Sequence, residues 1–179
     1  MIRAACLSLL ILFAILGAPA AWGANAAETA GDVLQIAIPT AAYGLTFLHE
    51  DAQGRPPFYK SMAIAAGITY GANLVIDKEG PDGDGHSFPS GHATLAFAGA
   101  GFAQRRYGWR YGLPAYLAAT FVGWSRIDAD RHEVEDVVAG AAVGVLSAWA
   151  FTVPFGEREL QVQPLVQRER VGLGLRAEW

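Results

Sequence analysis

Five largely uncharged stretches, each about as long as a helix and rich in Ala and Gly, make up most of this 179-residue chain. They cover approximately 33–48, 58–76, 90–105, 111–124 and 133–153, and short breaks crowded with charges, Gly and Pro separate them. Runs of this length and composition, punctuated in this way, predict helices that bury small-residue faces against one another. After Pro154 the pattern changes: LQVQPLVQRERVGLGLRAEW alternates apolar and polar residues with period two, as a hairpin does. The expected fold is therefore all-α, a bundle of about five core helices over 24–153, with a C-terminal extension over 154–179 forming a short β-hairpin.

The first 23 residues are expected to be a secretory signal peptide: Arg3 gives a positive start, LSLLILFAIL an apolar centre, and Ala21-Trp22-Gly23 a processing site. Processing after Ala26 is nearly as well specified, and the alternative is an uncleaved membrane anchor over 7–22. The lone cysteine, Cys6, lies inside this segment, so an exported domain would hold together by packing and not by disulfides. The expected location is the cell envelope, in the periplasm or in the inner membrane with its site facing the periplasm. The helices are slightly short for the roughly 20 apolar residues of a spanning segment. Arg105, Arg106 and Arg110 nevertheless fall at one end of the bundle and the acidic loops around Asp82 and Asp130 at the other, as the positive-inside rule requires. Gly140 and Gly144, four apart, would let a neighbouring helix approach closely. A soluble bundle with a tight Ala/Gly core accounts for the same features, and both readings stay open. With 13 Lys+Arg against 17 Asp+Glu, a nucleic-acid partner is not expected.

Chemistry concentrates in two segments. In SFPSGH (87–92), Pro89 forces an extended entry, Ser90 can cap a helix, and the amides of Ser90, Gly91 and His92 would leave that helix N-terminus as an anion site. His92 would sit in the first turn, placed to exchange a proton with the anion. In SRIDADRHEVED (125–136), Arg126 offers a planar fork suited to phosphate. His132 and Asp136 are four apart, so on a helix the carboxylate could hold one ring nitrogen and leave the other as nucleophile or base. An ordinary ion pair at a solvated helix start explains that spacing equally well when it is taken alone. The acidic run 82–85 lacks the remaining ligands of a calcium loop and reads as a turn.

Together these segments resemble the signature of the type 2 phosphatidic acid phosphatases, which share a fold and site with vanadium-dependent haloperoxidases: KxxxxxxRP, PSGH and SRxxxxxHxxxD. PSGH is complete at Pro89, Ser90, Gly91 and His92, and the third part is complete at Ser125, Arg126, His132 and Asp136. The similarity runs from about residue 32 to 153. It implies a phosphoric monoester hydrolase that needs no metal and no cofactor and acts on a lipid phosphate or another phosphomonoester or diphosphate. By the resemblance, His132 is the nucleophile, oriented by Asp136. His92 protonates the leaving alkoxide and then activates water, while Arg126 and the amides of Ser90, Gly91 and His92 hold the phosphate oxygens.

The first part departs from the pattern. Pro81 fits, but Gly80 stands where the arginine belongs and Asn73 where the lysine belongs. Removing one preorganised donor to a developing charge typically costs about 3–4 kcal/mol, so weakened activity is expected. Lys78 is the nearest cation that could bind phosphate in their place, although a flexible ammonium does not replace a bidentate fork and a solvated Lys78 is the simpler reading. His86, at the pocket mouth, is a weaker candidate for the same role. The rival is a member that keeps the fold and binds phosphate or another ligand without turnover. Vanadate-dependent halide oxidation is disfavoured by the small chain and the thinned cationic cage.

Overall fold

The computed structural model describes residues 24–83 and 85–156, together with the backbone of 160–167 and 170–177. The expected signal peptide lies outside the described residues. Five helices build the body: α1 (Ala24–Leu48), α2 (Arg55–Val75), α3 (Gly91–Tyr107), α4 (Trp109–Asp128) and α5 (Val134–Phe151). Among the described residues between 24 and 156 no strand interrupts them. The five uncharged stretches therefore correspond one to one with five helices.

α3 is the axis of the bundle. Ser90 caps it, its side chain accepting from the Ala93 amide, and Gly108 closes it at φ 85°, a left-handed value that suits a residue without Cβ. Its sequence, GHATLAFAGAGFAQRRY, places small residues on every side. α1, α2, α4 and α5 can therefore all pack against it. Ala93, Ala96, Ala98, Ala100 and Phe102 are completely buried. The closest approach is to α5, where a Cβ on Gly140 would lie 2.4 Å from the Ser90 carbonyl oxygen and one on Gly144 2.4 Å from the Thr94 carbonyl oxygen. Gly140 and Gly144 thus form a backbone seam with α3, the close contact that their spacing suggests.

Because the obstacles at that seam are main-chain atoms, Gly144→Ala is expected to lower unfolding stability by about 3 kcal/mol, at the upper end for overpacking. Gly67→Ala is the control: nothing lies within 4 Å of a Cβ there. It should stabilise α2 by roughly 0.5–1 kcal/mol. Urea unfolding of both variants checks the pair, and equal stabilities would mean that the seam tolerates a methyl group.

Two features differ from the sequence expectations. α1 begins at Ala24, not near residue 33, because the Ala-rich ANAAETAGD continues the helix and brings Glu28 and Asp32 over the end of the bundle where the loops 76–90 and 129–133 converge. Arg106, expected among the surface cations at the other end, is buried. Its guanidinium grips Asp51 through Nε (2.7 Å) and Nη2 (2.8 Å), and its Nη1 donates to the Val153 carbonyl. It is a packing element and cannot count as evidence of membrane orientation.

Large apolar side chains remain on the outside of the bundle, among them Ile64, Ile68 and Leu74 of α2, Leu113 and Leu117 of α4, and Val138, Leu146 and Trp149 of α5. Among the described residues one helix, α5, is long and apolar enough to cross a membrane, and little more than a quarter of it is buried inside the protein.

Candidate active site

The α3–α5 seam carries the N-terminus of α3 and the loop before α5 to the same end of the bundle. There a cavity of roughly 360 Å³ is lined by His92, His132, Arg126, Arg131, His86 and Ser87, with the carboxylates of Glu28, Asp32 and Asp82. His92, Arg126 and His132, far apart in sequence, meet in this one space.

His132 is held indirectly. Its Nδ1 lies 3.7 Å from Asp136 Oδ2, too far for a hydrogen bond. Ser87 Oγ stands between them, donating to Asp136 Oδ2 (2.7 Å) and lying 3.1 Å from His132 Nδ1. With the serine hydrogen committed to a carboxylate, Ser87 Oγ can only accept from Nδ1–H. That selects the tautomer whose Nε2 carries the lone pair. The direct i,i+4 contact expected between His132 and Asp136 is therefore a three-membered relay. Burial of His132, with Arg126 nearby, holds its pKa below the usual histidine value against the opposing pull of Asp136 and Ser87. His132 is thus neutral at neutral pH.

Asp136 is completely buried and fully engaged. Besides Ser87 it accepts from the Glu133 amide (2.9 Å), half of a capping box that starts α5, and from Lys78 Nζ (2.6 Å). Lys78 also binds Glu133 and Glu135. Its ammonium is thus spent on three carboxylates behind the histidine and is absent from the cavity wall. The structure does not bring Lys78 to the phosphate position, because a triply paired cation has no reason to leave those partners.

At the start of α3, Ser90 is completely buried and its amide donates to the Asp136 carbonyl (2.9 Å). The Ser90 amide is therefore taken, which corrects the expectation of three amides facing an anion. Gly91 and His92 carry the first amides that the helix itself does not use. Asn73 does not sit as an empty clamp position either. Its side-chain amide donates to the carbonyls of His86 (2.8 Å) and Pro89 (3.3 Å). These bonds brace the loop in which His86 adopts a left-handed φ of 64°.

Arg126 is nearly buried, and its forked donors turn toward α1: Nη1 to Asp32 Oδ1 (2.9 Å), Nη2 to the Glu28 carbonyl (2.6 Å). The same Asp32 oxygen lies 3.0 Å from His92 Nε2. One carboxylate oxygen thus occupies the space between the guanidinium and the imidazole. Burial, and the field of Arg126, lower the His92 pKa, and Asp32 opposes the shift. Gly31 makes the approach possible, since a Cβ there would lie 2.1 Å from Ser125 Oγ.

Sequence reasoning missed Glu28, Asp32, Ser87 and Arg131. Glu28 and Asp32 fell before the expected start of the first helix near residue 33, and nothing local names the partners they meet. Ser87 and Arg131 lay inside motifs already singled out without a role. The site holds anion-binding groups, a neutral histidine of fixed tautomer and a second histidine able to carry a proton. Among the described residues no group of three His, Cys, Asp or Glu side chains is arranged to hold a metal ion.

The PAP2 superfamily profile matches residues 35–159. A lipid A 4'-phosphatase of Helicobacter pylori is 27% identical over 97% of this chain and 96% of its own length. A lipid A 1-phosphatase of Porphyromonas gingivalis is 36% identical over 62% of this chain, a match that spans 24% of that longer protein. No solved structure matches the chain.

Proposed function

This chain belongs to the PAP2 superfamily, and on that premise we propose that it is a metal-independent lipid phosphatase of the cell envelope, acting through a phosphohistidine. The observation that carries the reading is the convergence of His92, Arg126 and His132 on one cavity. Similarity to two lipid A phosphatases favours a phosphorylated lipid as substrate, with other phosphomonoesters or diphosphates as alternatives.

In the proposed reaction His132 Nε2 attacks phosphorus in line, forming the N–P bond as the bond to the leaving oxygen breaks. His92 gives its proton to the departing alkoxide. It then takes one from water, whose oxygen displaces the histidine and releases inorganic phosphate. Arg126, with the amides of Gly91 and His92, holds the equatorial oxygens where transition-state charge is spread. Ser87 and Asp136 keep the His132 tautomer. The bound phosphate displaces Asp32, and its negative charge raises the His92 pKa toward the protonated form that a general acid needs.

The same proposal places the domain at 24–153 behind an N-terminal signal, exported and facing the periplasm. The exposed apolar side chains of α2, α4 and α5 would lie against lipid. The extension beyond Pro154 would fold as a hairpin pairing Leu160–Gln167 with Arg170–Ala177.

The test is trapping of a phosphorylated His132 by rapid quench and mass spectrometry, with p-nitrophenyl phosphate and lipid phosphomonoesters, with and without EDTA. The reading requires a phosphoenzyme insensitive to EDTA. A chain that binds phosphate yet forms no phosphoenzyme is the non-catalytic alternative, which the loss of Arg and Lys at Gly80 and Asn73 would favour. A second expected outcome concerns the nucleophile's protonation. Since burial holds His132 below the ordinary histidine value, its ring-proton NMR titration should show a midpoint below about 6.5. His132→Ala would assign the signal, and a midpoint above that value would contradict the neutral-nucleophile geometry.

A further inference from the structure

Resting on the phosphatase reading, we propose that Arg131 is the second phosphate-holding guanidinium of this site, supplying from the loop before α5 the cation that Gly80 no longer provides. Three observations carry it. First, Arg131 lines the cavity and is about half exposed, whereas Lys78 is tied up behind Asp136. Second, Gly80 stands against the segment that carries Arg131: a Cβ on Gly80 would lie 2.9 Å from Asp82 Oδ1, 3.1 Å from the Arg131 carbonyl oxygen and 3.3 Å from Ser87 Oγ. A long side chain at position 80 would press on the very segment that presents Arg131 and His132, so the glycine and the arginine form one arrangement.

Third, Arg131 and Arg126 converge on one anionic oxygen. Glu28 Oε1 lies 3.0 Å from Arg131 Nε and 4.0 Å from Arg126 Nη1. One turn further along α1, Asp32 bridges Arg126 and His92. The two carboxylates thus hold oxygens between two guanidiniums and an imidazole, the disposition that a tetrahedral phosphate would need. Arg131 bonds Glu28 through Nε and Asp82 through Nη1 (3.3 Å). Among the described residues each carboxylate takes one donor of the fork, so the Nη2 donor that both edges share is left for a phosphate. α1 therefore supplies place-holding carboxylates that keep both forks in position until a phosphate replaces them.

The experiment uses the full chain in detergent. Wild type, Arg131→Ala and Arg131→Lys are compared for kcat/KM on p-nitrophenyl phosphate, for inhibition by orthovanadate, and for calorimetric affinity for inorganic phosphate. Arg131→Ala should lose about a hundredfold in kcat/KM, with vanadate inhibition weakened in parallel. Guanidinium ion at millimolar concentration should restore part of the rate, and Arg131→Lys should fall between. A rate within twofold of wild type overturns the assignment. So does a loss of kcat/KM that guanidinium fails to restore while the affinity for inorganic phosphate stays within twofold of wild type. If wild type forms no phosphoenzyme, the phosphatase reading fails by itself. Arg131 is then judged by phosphate affinity, which the alanine variant must weaken at least tenfold, and a wild type that binds no phosphate overturns both.

Discussion

Replacing His132 with alanine is expected to abolish phosphoester hydrolysis, with a loss of about 10⁴-fold or more in kcat, because residues that act as one nucleophilic unit fail together. His92 cannot take over. Its Nε2 faces Asp32, and the relay that fixes a lone pair, from Asp136 through Ser87, ends on His132 alone. The variant should also lose any covalently trapped phosphate while keeping its affinity for inorganic phosphate within a few-fold, since Arg126 and the α3 amides are untouched. Initial rates and phosphoenzyme trapping check both halves. A variant that retains more than a few per cent of the wild-type rate would remove His132 from the role and leave the cavity in need of another nucleophile.

The largest expected effect on stability lies at the other end of α3. Asp51→Ala should cost about 3–5 kcal/mol, the usual penalty for stranding one partner of a buried ion pair. Arg106 would then keep only its bonds to the carbonyls of Val153 and Pro154, and Tyr107 and the Gly54 amide would each lose an acceptor. Replacing both charges, with Asp51→Leu and Arg106→Met, should recover most of the loss, because desolvation offsets most of a buried pair's attraction. Chemical unfolding of the three proteins decides it, and a single-variant loss under about 1 kcal/mol would mean that water reaches the guanidinium. Burial alone would raise the Asp51 pKa, but bonds from Arg106, Tyr107 and the Gly54 amide outweigh it and hold the carboxyl below its ordinary value. The pair's contribution is therefore present above the unfolded value of 3.8 and fades as pH falls through the folded one.

The helical body was legible because its signals are local: uncharged runs of helix length, Ser90 before Gly91, Gly108 after Tyr107, and glycines four apart on α5. The core of the site was legible for a different reason. A helix N-terminus beginning PSGH and a spaced Arg, His and Asp are chemical patterns whose residues must converge if they act together, and the structure brings His92, Arg126 and His132 to one cavity. What sequence could not disclose was partnership across the bundle. Lys78 has the right charge near the right place, yet three carboxylates hold it elsewhere. Arg106 looks like a boundary cation until Asp51, 55 positions away, is known to meet it. Glu28 and Asp32 look like a polar leader until α1 is seen to reach the cavity. In each case the decisive energy is an ion pair between distant segments, and nothing in the flanking residues encodes the partner.

The glycine seam between α3 and α5 has a consequence for how such a scaffold can diversify. Main chain against main chain sets the spacing of the two histidine-bearing segments, so their alignment owes nothing to the bulky residues that point outward from α2, α4 and α5. Those outer faces can be rewritten to suit a thicker bilayer, a different acyl chain or an aqueous compartment while the reacting groups keep their registration, which makes the chemistry the inherited part of this fold and its surroundings the negotiable one.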